Sequence, residues 1–121
     1  IASVLKLTKL RALLAKIFDG RATVVQSNLG NMVEVLPIGA SKGAGVRMVV
    51  NHLGSHSRHL LAMGDGENDL EMIKLASIGV AMGNAEQILK ESADLIAPTN
   101  DEEGVAVMLE HLIEVLSSLS D

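Results

Sequence analysis

"LLAMGDGENDLEMIKLA", Leu60 to Ala76, decides how the chain reads. A short apolar run stops at Gly64, and four acids, Asp65, Glu67, Asp69 and Glu71, follow within seven positions. "HLLAM" has the length and composition of a buried strand. "ENDLEMIKLA" reads as a helix whose opening acids suit the positive end of its dipole. A strand that runs straight into a helix is the repeating unit of a parallel sheet. In such sheets ligands bind beyond the carboxyl ends of the strands, which is where Asp65 falls.

The same rhythm extends outward. Downstream, "IGVAM" and "DLIA" read as strands and "AEQILKES" as a short helix. Thr99-Asn100-Asp101-Glu102 is a capping-box signature before a long helix through Leu119. Upstream, Ser41 caps a helix running to about Leu53, with Gly54 placed to stop it. "ATVVQS" and "NMVEVLP" form two strands around the turn residues Asn28-Leu29-Gly30-Asn31, and Pro37 and Gly39 close that block. Val4, Leu7, Leu10, Leu14 and Ile17 recur at three- and four-residue steps. They predict an amphipathic helix with Lys6, Lys9 and Lys16 on its wetter side, ended by Asp19-Gly20. Short apolar strands separated by helices predict an α/β fold, a parallel sheet covered on both faces.

Bulk composition narrows the function. A chain of 121 residues suits one domain, and 48% hydrophobic residues argue against a disordered tail. No apolar run approaches the roughly 20 residues of a membrane span. A net charge of −5 and a single aromatic, Phe18, supply neither a phosphate-backbone footprint nor a base-stacking platform, so nucleic acid is not an expected partner. The absence of cysteine leaves no disulfide framework or thiolate metal site, which suits a cytoplasmic or other reducing compartment. The N-terminal stretch has no small-residue cleavage pattern and no initiating methionine. It is not expected to be a secretory signal, and the chain is expected to begin inside a longer protein.

Asp65 and Asp69 lie one turn apart, so both carboxylates can face one point above the strand end. Like charges at that spacing repel by about 0.2–0.5 kcal/mol on an exposed helix, and a divalent cation reverses the sign. Magnesium takes one or two carboxylates and leaves positions for water and a phosphate. Asn68 offers an amide donor to such a phosphate. Acids that merely decorate a helix N-terminus are the plainer reading. It covers Glu67 and Glu71 well, but not why Gly64 and Gly66 bracket Asp65. A calcium EF-hand starting at Asp65 fails, because its sixth and twelfth positions hold Leu70 and Ala76.

Lys42 opens a helix among Gly39, Gly43 and Gly45, where the dipole disfavours a cation unless an anion binds there. An exposed first-turn lysine without a role fits the residues as well. Gly39-Ala40-Ser41-Lys42-Gly43 also spells a G-x-S-x-G nucleophile elbow. Its acid would have to be Asp94 or Asp101 and its histidine His111, in mid-helix among Leu109, Leu112 and Ile113, which argues against a serine hydrolase. His52, His56 and His59 straddle a glycine and a serine-rich turn and read as a solvated loop rather than a zinc site.

"EVLPIGASKGAGV", "MGDGENDLEM", "GVAMGNA" and "ADLIAPTNDEEGVA", in this order, resemble the C-terminal half of a haloacid dehalogenase (HAD) superfamily phosphatase of the Cof type, over Glu34 to Leu112. The resemblance implies a three-layer α/β/α, partial Rossmann-like core with parallel strands over residues 37–121, preceded at 1–36 by the remnant of an α/β cap. It implies Lys42 as the lysine that steadies the phosphoryl group and the nucleophile. It implies Asp65 as a Mg2+ ligand, Asp69 as the second acid of the metal site, and Asn68 as a phosphate contact. The reaction implied is hydrolysis of a small-molecule phosphate ester through an aspartyl-phosphate intermediate.

The family's nucleophile lies in an Asp-x-Asp-Gly-Thr motif, which this sequence lacks. "IFDGRAT" echoes it, but places Ile17 at the nucleophile position. The expectation is therefore a fragment that is inactive alone, whose natural partner is the N-terminal half of its parent. An apolar sheet edge left exposed predicts self-association. The competing expectation is a non-catalytic module that uses the phosphate pocket to bind a metabolite or partner. An in-frame Asp-x-Asp-Gly-Thr segment upstream in the gene would remove that second reading.

Overall fold

The computed structural model describes residues 4–26 and 31–120. An N-terminal group consists of helix α1 (Val4–Ile17) and the antiparallel hairpin β1 (Ala22–Gln26) and β2 (Val33–Pro37), with α1 packed on both strands. Only Leu7 of the expected apolar stripe is buried. Val4 and Ile17 stay 63% and 50% exposed, because a two-stranded hairpin is too narrow to cover a four-turn helix. Of the expected turn between the strands, residues 28–30 lie outside the described residues.

The rest of the chain is built on three parallel strands, β3 (Leu61–Gly64), β4 (Ile78–Ala81) and β5 (Leu95–Ile96), in the order β3-β4-β5. Val80 and Ala81 point to opposite faces of β4 and both are fully buried, so the central strand is covered on both sides. Helix α2 (Lys42–His52) packs against α3 (Leu70–Leu75). Helix α3 lies on β3 and β4, and α4 (Gln87–Ser92) lies beside it. Ile73, Leu89 and Val80 form the centre of the core. Met108 and Leu112 of α5 (Gly104–Leu119) close it. No described helix is long and apolar enough to cross a membrane.

Helix ends follow their residues. The Ser41 hydroxyl accepts from the amide of Ala44 at 2.9 Å and caps α2, which stops one residue short of Leu53. Three elements are shorter or later than their sequence suggests. His59 belongs to a 3-10 turn, Ser57–His59, so β3 starts at Leu61. A 3-10 turn over Glu67–Asp69 precedes α3. The Thr99 box caps a third such turn, Asn100–Glu102. After it Glu103 adopts a left-handed conformation (φ 57°) before α5 begins.

Thr99 donates from its amide and its hydroxyl to Glu102 Oε2, at 3.0 and 2.8 Å. The backbone bond above all, then the hydroxyl, holds the Glu102 carboxyl below the ordinary value of 4.5. A depressed folded-state pKa stabilises the fold above the unfolded-state value, and that contribution is lost as pH falls through the folded-state value. The gap in urea midpoint between the wild-type chain and Glu102→Gln is therefore expected to shrink as pH drops below 4.5. A gap that stays constant through that range would remove the box from the acid response.

Candidate functional site

The parallel register pairs Gly64 with Ala81, so the loops leaving β3 and β4 emerge side by side. Asp65 is the first residue beyond β3. Gly83 and Asn84 follow β4, and the Asn84 amide reaches Asp65 Oδ2 at 3.4 Å. The orientation of that amide is fixed from its other end, because Asn84 Oδ1 accepts from the backbone N–H of Asn100 at 2.9 Å. Asn84 thus ties the loop after β4 to the Asp65 carboxylate on one side and to the turn before α5 on the other.

Asp69 is the one buried charged residue among those described, at 3% exposure. Its Oδ2 accepts from the amides of Asp65 and Gly66, at 3.0 and 3.2 Å, and its Oδ1 accepts from Lys42 Nζ at 2.6 Å. The side chain folds back across the turn so closely that a Cβ on Gly64 would lie 2.5 Å from Asp69 Cβ. That approach explains the glycine at 64: it makes room for Asp69. Gly66 has an ordinary extended backbone, and its contribution is an amide donor.

Lys42 stands at the first position of α2, and its ammonium faces the buried acid. Lys42, Asp65, Asp69 and Asn100 all border one cleft of about 480 Å³, whose remaining wall includes Met63, Met72 and Met82. Three of the four residues expected at the site are thereby brought together. Asn68 is not with them: it is exposed and lines a neighbouring pocket of about 550 Å³ under the β1-β2 hairpin. Lys42 borders both spaces. Asn84 and Asn100 were not among the expected site residues. The signal for Asn84 was its place in the loop that leaves β4, three residues beyond Ala81.

Charge around the cleft is unevenly compensated. Arg11 of α1 pairs with Glu67 at 2.5 Å. Glu86, whose amide donates to the Asp65 carbonyl at 3.0 Å, has its carboxyl pushed above the usual range by burial first and by repulsion from Glu67 next; Arg11 opposes the shift and Asp65 adds to it. Asp65 itself has only the long contact to Asn84, so its carboxylate is open to the cleft among the described residues. One open carboxylate is an oxygen ligand of the kind magnesium accepts with water and phosphate completing its shell. No three His, Asp or Glu side chains converge into a complete protein cage among the described residues.

Two other sequence features resolve without chemistry. The Ser41 hydroxyl caps α2 and donates to the Glu71 carboxylate, so it faces an acid and not a histidine. His56 and His59 lie with ring centroids 6.2 Å apart, and Ser55 contacts His59 at 3.3 Å, on an exposed loop.

Residues 2–109 match the family model of haloacid dehalogenase-like hydrolases. The chain is 51% identical over 86 residues to the chloroplastic endoribonuclease YBEY of Arabidopsis thaliana, which covers 71% of this chain and 15% of that protein. It is 47% identical over 81 residues to the 5-amino-6-(5-phospho-D-ribitylamino)uracil phosphatase YcsE of Bacillus subtilis, covering 67% of this chain and 32% of the relative. A haloacid dehalogenase-like hydrolase from Bacteroides thetaiotaomicron superposes over 93% of this chain and 42% of its own, with a TM-score of 0.74 and 37% identity. This chain spans less than half the length of each of these relatives.

Proposed function

The chain belongs to the haloacid dehalogenase-like hydrolases, and on that premise we propose that it carries the metal- and phosphate-binding half of a magnesium-dependent phosphatase acting on small phosphate esters. The observation that carries this reading is the pairing of Lys42 with buried Asp69 directly beside the open carboxylate of Asp65, at the end of β3.

Each residue has a distinct task in the proposal. Asp65 would hold Mg2+, and Asn84 keeps its carboxylate turned toward the cleft. Asp69 organises rather than reacts: it fixes the backbone of residues 65 and 66 and aims the Lys42 ammonium. Lys42, on the same cleft as Asp65, would neutralise the phosphoryl group, and its charge would also favour the ionised form of an attacking carboxylate. Asn68 would donate from the neighbouring pocket, which Lys42 also borders. Bound magnesium supplies charge neutralisation on the phosphoryl oxygens. The phosphoryl group passes to an aspartate and then to water in this reading. No Asp-x-Asp-Gly-Thr segment occurs in the 121 residues, so this chain alone is expected to be inactive.

Ribonuclease chemistry belongs to the Arabidopsis relative as a whole protein. This chain has a single aromatic residue and a net charge of −5, which gives RNA little to bind.

Inorganic phosphate titrated with Mg2+ present is expected to shift the amide resonances of residues 42–45 and 65–69. Lys42→Met should weaken that binding at least about tenfold, the loss of one charge-assisted contact. The same preparation should hydrolyse p-nitrophenyl phosphate no faster than buffer. Phosphate binding indifferent to Lys42 would overturn the site, and turnover above buffer would overturn the inactivity.

A further inference from the structure

We propose that this chain associates with further copies of itself through two helices, the lysine-flanked outer ridge of α1 in one copy lying on the glutamate-flanked outer ridge of α5 in another. The inference stands on exposure and charge along those helices and does not require the phosphatase reading.

Helix α1 contains Lys6, Lys9, Arg11 and Lys16 and no acid. Arg11 is paired with Glu67, but the three lysines are in no ion pair among the described residues. Leu10, Leu13 and Ile17, at steps of three and four, form one ridge that the hairpin leaves in water. Lys6 and Lys9 stand one turn before Leu10 and Leu13, and Lys16 one turn after Leu13, so the lysines border that ridge.

Helix α5 has the converse arrangement. It contains Glu110 and Glu114, neither in an ion pair among the described residues, and no Lys or Arg. Met108 and Leu112 are turned to the core, while Leu109, Ile113 and Leu116 form a second ridge beside them. Glu110 stands one turn before Ile113 and Glu114 one turn beyond Glu110, so both border this ridge. The six ridge residues are between 40% and 63% exposed. Two continuous apolar lines of that kind, each with charge along it, are unlike singly scattered surface residues.

A second copy is the occupant that suits both helices at once. The 14 residues of α1 and the 16 of α5 span about 21 and 24 Å, so the ridges match in length. Opposite charges flanking an apolar seam set which helices pair and in what register. An anionic lipid surface would suit α1 alone and would repel the rest of a chain whose net charge is −5. Within one copy α1 packs on β1 and β2 and α5 on the core, which leaves each ridge to another molecule. The contact joins unlike surfaces, so two copies either close it reciprocally or extend it to a third.

Sedimentation velocity at low salt should show the parent chain gaining mass as its concentration rises to about 100 µM. The α1 variant Lys6→Glu, Lys9→Glu, Lys16→Glu should associate at least about tenfold more weakly, and so should the α5 variant Glu110→Lys, Glu114→Lys. All five positions are exposed, and urea midpoints check that the variants fold. Mixing the two variants in equal amounts should restore association, because each reversed helix then meets one of opposite charge. About 0.5 M NaCl should weaken association of the parent at least about threefold, which keeps the test decisive if a variant does not fold. Association that survives both reversals, as pairing through the open edge of β3 would, overturns the proposal. So does a mixture no more associated than its components. A parent chain that stays monomeric throughout, even if it binds vesicles of anionic phospholipid, overturns it as well.

Discussion

Asp69→Ala is expected to lower unfolding stability by about 3 kcal/mol, a large share of what holds a small domain together. The carboxylate is 3% exposed and accepts three hydrogen bonds. Alanine leaves the amides of Asp65 and Gly66 without an acceptor, in a turn where Gly66 is buried. Those two lost charge-assisted bonds make up most of the cost. Lys42 adds less, because its side chain is 53% exposed and resolvates when the acid goes. Lys42→Met is accordingly expected to cost under about 1 kcal/mol. Asp69→Asn keeps the shape and one acceptor oxygen, and should fall between the two. Urea unfolding with an unchanged slope measures all three. A loss below about 1 kcal/mol for Asp69→Ala would mean that the turn holds itself without the acid.

Asp65→Asn is the converse case. Among the described residues this carboxylate touches only the Asn84 amide, at 3.4 Å, so its replacement should leave folding nearly unchanged. Its effect falls on cation binding, where a charged oxygen ligand becomes a neutral one beside Glu67 and Glu86. Magnesium affinity should drop at least about tenfold, equivalent to about 1.4 kcal/mol. Two aspartates four residues apart therefore divide the work. In the proposed reading Asp69 is structural support with a charge, and Asp65 is the open ligand.

The sequence made Asp65 visible because it stands immediately beyond a strand end, where a parallel sheet concentrates its chemistry, and Lys42 because it is a cation at the opening of a helix among glycines. It also made Asp69 visible, as a like charge one turn away that called for compensation. What Asp69 compensates was hidden, because hydrogen bonds to Asp65 N and Gly66 N depend on a 3-10 turn where the acid pattern suggested an α-helix. Asn84 could be placed only by knowing that β3 and β4 pair in parallel with Gly64 opposite Ala81. Asn68 was drawn toward Asp65 by proximity in sequence, yet the tight turn points it to the pocket under the hairpin. The strand and helix order followed from apolar run length and from caps such as Ser41. Its misplacements came at short turns, His59 and Glu103 among them, where local backbone bonds outweigh residue type. Arg11–Glu67 has no local signature at all, since it joins two elements 56 residues apart.

The central claim is that Asp65 presents an open carboxylate for a divalent cation, on a turn that Asp69 and Lys42 hold rigid. Calorimetric titration of Mg2+ into the folded chain and into folded Asp65→Asn tests it most directly. The account predicts saturable binding in the first and at least about tenfold weaker binding in the second. Equal affinity in the two proteins would contradict it.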